Sequence, residues 1–163
     1  MTEQEAEKVV DIIVGAGDKE RAREMIVRFI LHFPDHARIA RRMFREKFGE
    51  AVVRDEEMAR SIIREVIHKV AGEHGVDGEK IILFGSRARG DHSEDSDWDV
   101  LVVVRQSIDR EKMMDIWDEI HGILGALLMK PFDILIKSRR EFEAEMGVVN
   151  TVSNEAKLEG VEL

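Results

Sequence analysis

Val100-Leu101-Val102-Val103-Val104 is an unbroken apolar run. A strand that is apolar at every position has to be covered on both faces of its sheet. The run therefore requires a sheet with a layer on each side, and the rest of the chain has to supply those layers. Two more short apolar runs read as strands: Lys80 to Phe84, bounded by Gly75 and Gly78 before it and Gly85 after it, and Pro131 to Ile136. The amphipathic spacing from about Asp109 to Met129 predicts a helix between the second and third strands.

Before Gly75 the periodicity is helical throughout. Ala6, Val9, Val10, Ile13 and Val14 form one stripe, which ends at Gly15-Ala16-Gly17. Asp18 is placed to cap a second helix carrying Ala22, Met25, Ile26, Phe29 and Ile30, and Pro34 stops it. Asp35 is expected to cap a third helix running to Phe48, before Gly49. A fourth spans about Asp55 to Glu73. After the strands, helices are expected from Ser138 to Met146 and from Val149 to Lys157, with a short edge strand at Val161-Glu162-Leu163. The expected architecture is α+β: a small mixed sheet backed by helices over residues 77–163, plus an all-helical N-terminal region over residues 1–76.

Composition narrows the function classes. The formal net charge is −9 over 163 residues, which argues against a protein that grips nucleic acid mainly through phosphate contacts. With no cysteine there is neither a disulfide scaffold nor a zinc-thiolate site. Met1-Thr2-Glu3-Gln4-Glu5 is acidic where a secretory signal is basic and then apolar. The uncharged stretches are also too short to span a membrane. The expectation is a soluble cytoplasmic protein without a membrane partner.

The chemistry is concentrated in the stretch Phe84-Gly85-Ser86-Arg87-Ala88-Arg89-Gly90, continuing through Ser96-Asp97-Trp98-Asp99. A strand that runs into a glycine-serine turn lets backbone approach a ligand closely, and a helical turn opening at Ser86 favours a phosphate. Arg87 or Arg89 could neutralise phosphate charge. Asp97 and Asp99, two apart at the start of a strand, project to one face. Two crowded carboxylates repel, and a shared hard cation such as magnesium resolves that repulsion. Asp133, inside the third apolar run, is costly to bury without a partner or a metal. A Walker A loop is excluded because Asp91-His92 stands where its lysine and Ser/Thr belong. An EF-hand is excluded by Val100 and Gln106 in place of its glycine and glutamate.

Taken together, Gly85-Ser86, ten intervening residues and Asp97-x-Asp99 opening an apolar strand resemble the signature of the minimal nucleotidyltransferases. These are small relatives of the DNA polymerase beta-like superfamily. The resemblance extends to Asp133 and, more loosely, to the closing Glu159-Gly160-Val161-Glu162-Leu163. It covers about residues 79 to 163 and leaves the helical first half uncovered.

The resemblance implies transfer of a nucleoside monophosphate, with AMP from ATP the expected case, to a hydroxyl acceptor. Asp97 and Asp99 would each bind two magnesium ions, and Asp133 the ion on the acceptor side. Gly85 and Ser86 would hold the β- and γ-phosphates, with Arg87 assisting. Members of this kind resemble antitoxins that work with a separate helical HEPN partner protein, and some transfer AMP to it. An Arg-x4–6-His spacing occurs here only at Arg87 and His92, inside the turn, so the helical first half is not itself a fused HEPN ribonuclease. The competing reading is a weakly catalytic or non-catalytic module that binds nucleotide and sequesters a partner. A nucleic-acid-end transferase, weaker still, would need a basic groove beside the site. Self-association stays open.

Other residues have blander roles. Arg38, Arg41, Arg42, Arg45 and Lys47 make the third helix basic, and with no aromatics interleaved a solvated, acid-paired face is favoured over an RNA surface. Phe29, Phe44 and Phe48 are expected in the core, and Trp98 faces away from the two aspartates. His68, His74 and His121 lack any metal-ligand spacing. Met113, Met114 and Met129 are expected to pack the helix before the third strand.

Overall fold

A computed structural model describes all 163 residues. The order of elements is α1 (Glu3–Gly15), α2 (Lys19–His32), a 3-10 turn (Pro34–His36), α3 (Ala37–Phe48), α4 (Glu56–Glu73), β1 (Gly78–Phe84) and α5 (Ser86–Arg89). It continues with β2 (Trp98–Val104), α6 (Arg110–Leu128), β3 (Phe132–Ser138), α7 (Arg139–Glu145), α8 (Val152–Glu159) and β4 (Val161–Glu162). The chain forms two compact units. One comprises residues 1–59 with 122–129, the other residues 60–121 with 130–163.

The first unit is helical, and its helix starts are written in the sequence. Thr2 and Glu5 form a reciprocal capping box at α1, with bonds of 2.8 and 3.1 Å. Asp18 accepts from the N–H groups of Glu20 and Arg21 at α2. The expected cap of α3 is different. Asp35 lies within the 3-10 turn, and His36 precedes the helix without capping it through its side chain. Pro34 fixes a tight turn there, which takes up the residue that would otherwise cap. Between the helices Arg23 is fully buried. It donates to the carbonyls of Ala51 and Val52, pairs with Glu50 at 2.7 Å and lies 5.0 Å from the Phe44 ring. A buried guanidinium survives only with this much compensation.

The second unit carries a four-stranded mixed sheet in the order β3-β2-β1-β4. β1 is antiparallel to β2 and to β4, and β2 is parallel to β3. Side chains alternate between the faces. Ile82, Phe84, Leu101 and Val103 fall on one face, where they form a core cluster with Phe142 of α7 and Ala156 of α8. Trp98, Val100, Val102, Val104 and Ile134 fall on the other and are also buried. The all-apolar run thus has both faces covered. β3 begins and ends close to its expected bounds, and α6 stops at Leu128, where Met129 takes a positive φ of 56°.

Two of the three methionines expected in the packing are solvent-facing, Met114 on α6 at 42 % exposure and Met129, just past its end, at 65 %. The polar side of that helix is wide enough to carry apolar residues outward. The basic face of α3 is partly acid-paired, with Arg42 bonded to Glu7 at 3.0 Å.

Candidate active site

The site is built on the end of the sheet where β1 leaves and β2 enters. Phe84 is the register partner of Asp99 in the antiparallel pair, and Asp133 is the partner of Asp99 in the parallel one. Asp99 therefore stands between two strands, with an apolar neighbour on one side and a second carboxylate on the other. Asp97 lies one residue ahead of β2, on the same side as Asp99 by the two-residue period. It is exposed, but its chain neighbours are fixed. The Trp98 N–H donates to the Pro131 carbonyl at 3.0 Å, and the Ser96 carbonyl accepts from Arg87 at 3.0 Å.

The electrostatics follow from this placement. Burial holds the Asp99 carboxyl above the usual aspartate range, and the charges of Asp133 and Asp97 push it the same way. Arg89 opposes them. Among the groups acting on Asp99, the two neighbouring aspartates are the charges a cation would relieve.

Gly85 follows the strand at φ 73°, a conformation that L side chains rarely adopt, and its backbone lies directly against Asp99. A Cβ at position 85 would overlap Asp99 Oδ2. The glycine thus provides a close approach, to a carboxylate of the site itself. Ser86 opens α5, ahead of the N–H groups of Ala88 and Arg89, which both donate to the Gly85 carbonyl at 3.1 Å.

Arg87, expected beside the phosphates, is turned into the protein. It is 4 % exposed, its guanidinium lies 4.3 Å from the Trp98 ring, and it donates to the carbonyls of Glu94 and Ser96 at 3.0 Å. It pins the loop that delivers Asp97. Arg89 is the arginine whose charge acts on Asp99.

α8 contributes two more acids: Glu155, to which the sequence motif gives no role, and Glu159, which the resemblance includes only as the start of the closing segment. Glu155 and Glu159 are one helical turn apart. The Glu155 carboxyl is held above its usual range by burial, then by its bond to Glu159 and the charges of Glu159 and Asp99. Their i, i+4 spacing just before the expected edge strand was the available signal.

The donor set suits the magnesium ions expected from the sequence. Asp97, Asp99 and Asp133 would supply hard carboxylate oxygens, and the repulsion acting on Asp99 is of the kind a divalent cation would relieve. No three His, Asp or Glu side chains, the three aspartates included, stand together as a group that could hold a metal ion by themselves. Magnesium, which keeps several waters and takes phosphate oxygens, does not need such a cage.

Two of the histidines are engaged away from the three aspartates. His74 pairs with Glu119 at 2.8 Å, and His121 stacks on Trp117 at 3.6 Å. No helix is long and apolar enough to cross a membrane.

"Putative protein adenylyltransferase MJ1305" of Methanocaldococcus jannaschii is 40 % identical over 93 residues, which is 52 % of this chain and 63 % of that protein. The chain thus spans less than two thirds of that relative's length. A solved structure, "Structure of putative minimal nucleotidyltransferase", is 27 % identical over 68 % of this chain and 97 % of its own, with a TM-score of 0.44. The model of the family "Polymerase beta, Nucleotidyltransferase" matches residues 65–153, more than half of the chain and all of β1, β2 and β3. The chain belongs to the polymerase beta nucleotidyltransferase family.

Proposed function

We propose that this protein transfers AMP from ATP to a hydroxyl group of a partner protein, using magnesium held by Asp97, Asp99 and Asp133. One observation carries the reading: Asp99 lies opposite Asp133 in register, with the Gly85 turn packed against it. The nucleotide and the protein acceptor are supported by the adenylyltransferase relative's name.

The reaction needs in-line attack of an acceptor oxygen on the α-phosphorus, loss of the acceptor proton and departure of pyrophosphate. Bound between the carboxylates, magnesium would neutralise charge on the entering and leaving oxygens. The Gly85-Ser86 turn receives the β- and γ-phosphates, with the Ser86 hydroxyl as a donor and Arg89 as the nearby cation. Arg87 acts indirectly, by holding the loop before Asp97. Asp133, on the edge strand, faces the acceptor side and can take the hydroxyl proton.

The test is labelled ATP, magnesium and a lysate from the source organism. Label at the α-position should appear on a protein and label at the γ-position should not. Absence of magnesium-dependent ATP binding in calorimetry would remove the basis for the proposal.

A further inference from the structure

We infer that Glu159 is a positioning residue: it holds Arg89 at the rim of the site so that the guanidinium keeps one edge available for the triphosphate. This rests on the transferase reading above and adds a residue to it. Arg89 Nη1 donates to Glu159 at 2.9 Å, and Arg89 Nε lies 3.3 Å from Asp91 Oδ2. The two carboxylates come from different elements, one from the end of α8 and one from the loop after α5. Between them they engage two of the three guanidinium nitrogens and leave Nη2 without a protein acceptor. A long, rotamer-rich side chain held at two points has already lost most of the freedom that a bound phosphate would otherwise remove.

Glu159 is the firmer of the two anchors. Its side chain is 29 % exposed against 62 % for Asp91. Its backbone is fixed on both sides. The Gly160 N–H donates to the Ala156 carbonyl at 2.9 Å, and β4 then pairs with β1 at Ile82 and Leu83. At Gly160 there is no room for a side chain, because a Cβ would overlap the Ala156 carbonyl and Ile82. The glycine thus seats the end of α8 against β1, the strand that runs directly into Gly85 and Ser86. Glu159 and the phosphate turn share one rigid base, which lets a carboxylate on α8 set the direction of an arginine on α5.

The experiment compares binding of magnesium-ATP and of AMP by calorimetry in wild type, Glu159→Gln, Arg89→Gln and the double variant, with thermal melting of each. Glu159→Gln is expected to weaken ATP about tenfold, the scale of one charge-assisted hydrogen bond, and to leave AMP unchanged, because AMP lacks the two phosphates concerned. The double variant should bind ATP no more weakly than Arg89→Gln alone. Glu159→Asp should recover part of the loss. If Glu159→Gln weakens ATP and AMP equally, or costs as much again in the Arg89→Gln background, Glu159 is only a structural tie and the inference fails. Wild type that binds no ATP with magnesium would defeat the transferase reading underneath it, a result distinct from either of these.

Discussion

Gly85 and Asp99 are packed so closely that a Cβ on residue 85 would occupy the space of an Asp99 carboxylate oxygen. The contact joins the glycine-serine turn to the central acid of the proposed site, and the first expected outcome starts from it.

Gly85→Ala should damage both parts at once. The φ of 73° is strained for alanine, at a cost of about 1–3 kcal/mol. The new methyl group also forces Asp99 to turn away. Urea unfolding should show the loss of stability, and calorimetry should show magnesium-dependent ATP binding falling by more than Ser86→Ala causes. Ser86→Ala would remove the proposed hydroxyl bond to phosphate and should cost about 1–2 kcal/mol.

The three aspartates should separate by role. Asp97→Ala and Asp99→Ala should each abolish AMP transfer, since each removes a ligand from both proposed ions. Asp133→Asn should keep much of the ATP affinity while turnover collapses, because it changes the acceptor side only. Paired calorimetry and single-turnover assays check this. Equal loss of affinity and turnover at Asp133 would contradict the division.

The raised Asp99 pKa has a definite sign in stability. The folded state disfavours the ionised carboxylate, because of burial first and then the charges of Asp133 and Asp97. Below the unfolded-state value both states are protonated and no penalty exists. As pH rises through the raised folded value, the metal-free protein loses stability, and the loss is complete above it. Melting in the presence of a chelator, from about pH 4 to 8, should show this decline. Asp99→Asn should flatten it and raise the melting temperature at neutral pH. Added magnesium should stabilise wild type and leave Asp99→Asn unaffected.

Gly160→Ala tests the seat of α8 by steric means alone. Its φ of −72° is ordinary for any residue, so the cost comes from overlap with the Ala156 carbonyl and Ile82. Overpacking of this kind costs about 1–3 kcal/mol. Hydrogen exchange should report faster opening at the Leu163 amide, which donates to the Ile81 carbonyl at 2.8 Å.

Much of the fold was legible because local rules carry it. Helical periodicity gave α1, α2 and α4 through residues that are indeed buried, such as Val10, Ile26, Ile63 and Val66. The apolar run from Val100 placed a strand covered on both faces. Capping was legible where no competing turn intervened, as at Asp18, and illegible at Asp35, where proline had already set the backbone. The outward turn of Met114 was hidden because helical spacing does not state how wide the buried face is, and that of Met129 because the helix ends one residue before it.

The sequence alone determined that Asp97 and Asp99 share a side, because a two-residue period is a property of any strand. It also determined that a glycine-serine turn follows an apolar strand. Only the tertiary structure decided that Asp133 lies opposite Asp99, since register between strands thirty-odd residues apart depends on packing and not on local preference. The same holds for the two arginines of one short turn. Arg87 is drawn inward by the Trp98 ring and two loop carbonyls. Arg89 is drawn outward by Asp91 and by Glu159, seventy residues further along the chain. Identical side chains two positions apart differ only in which partners the fold brings within reach of each.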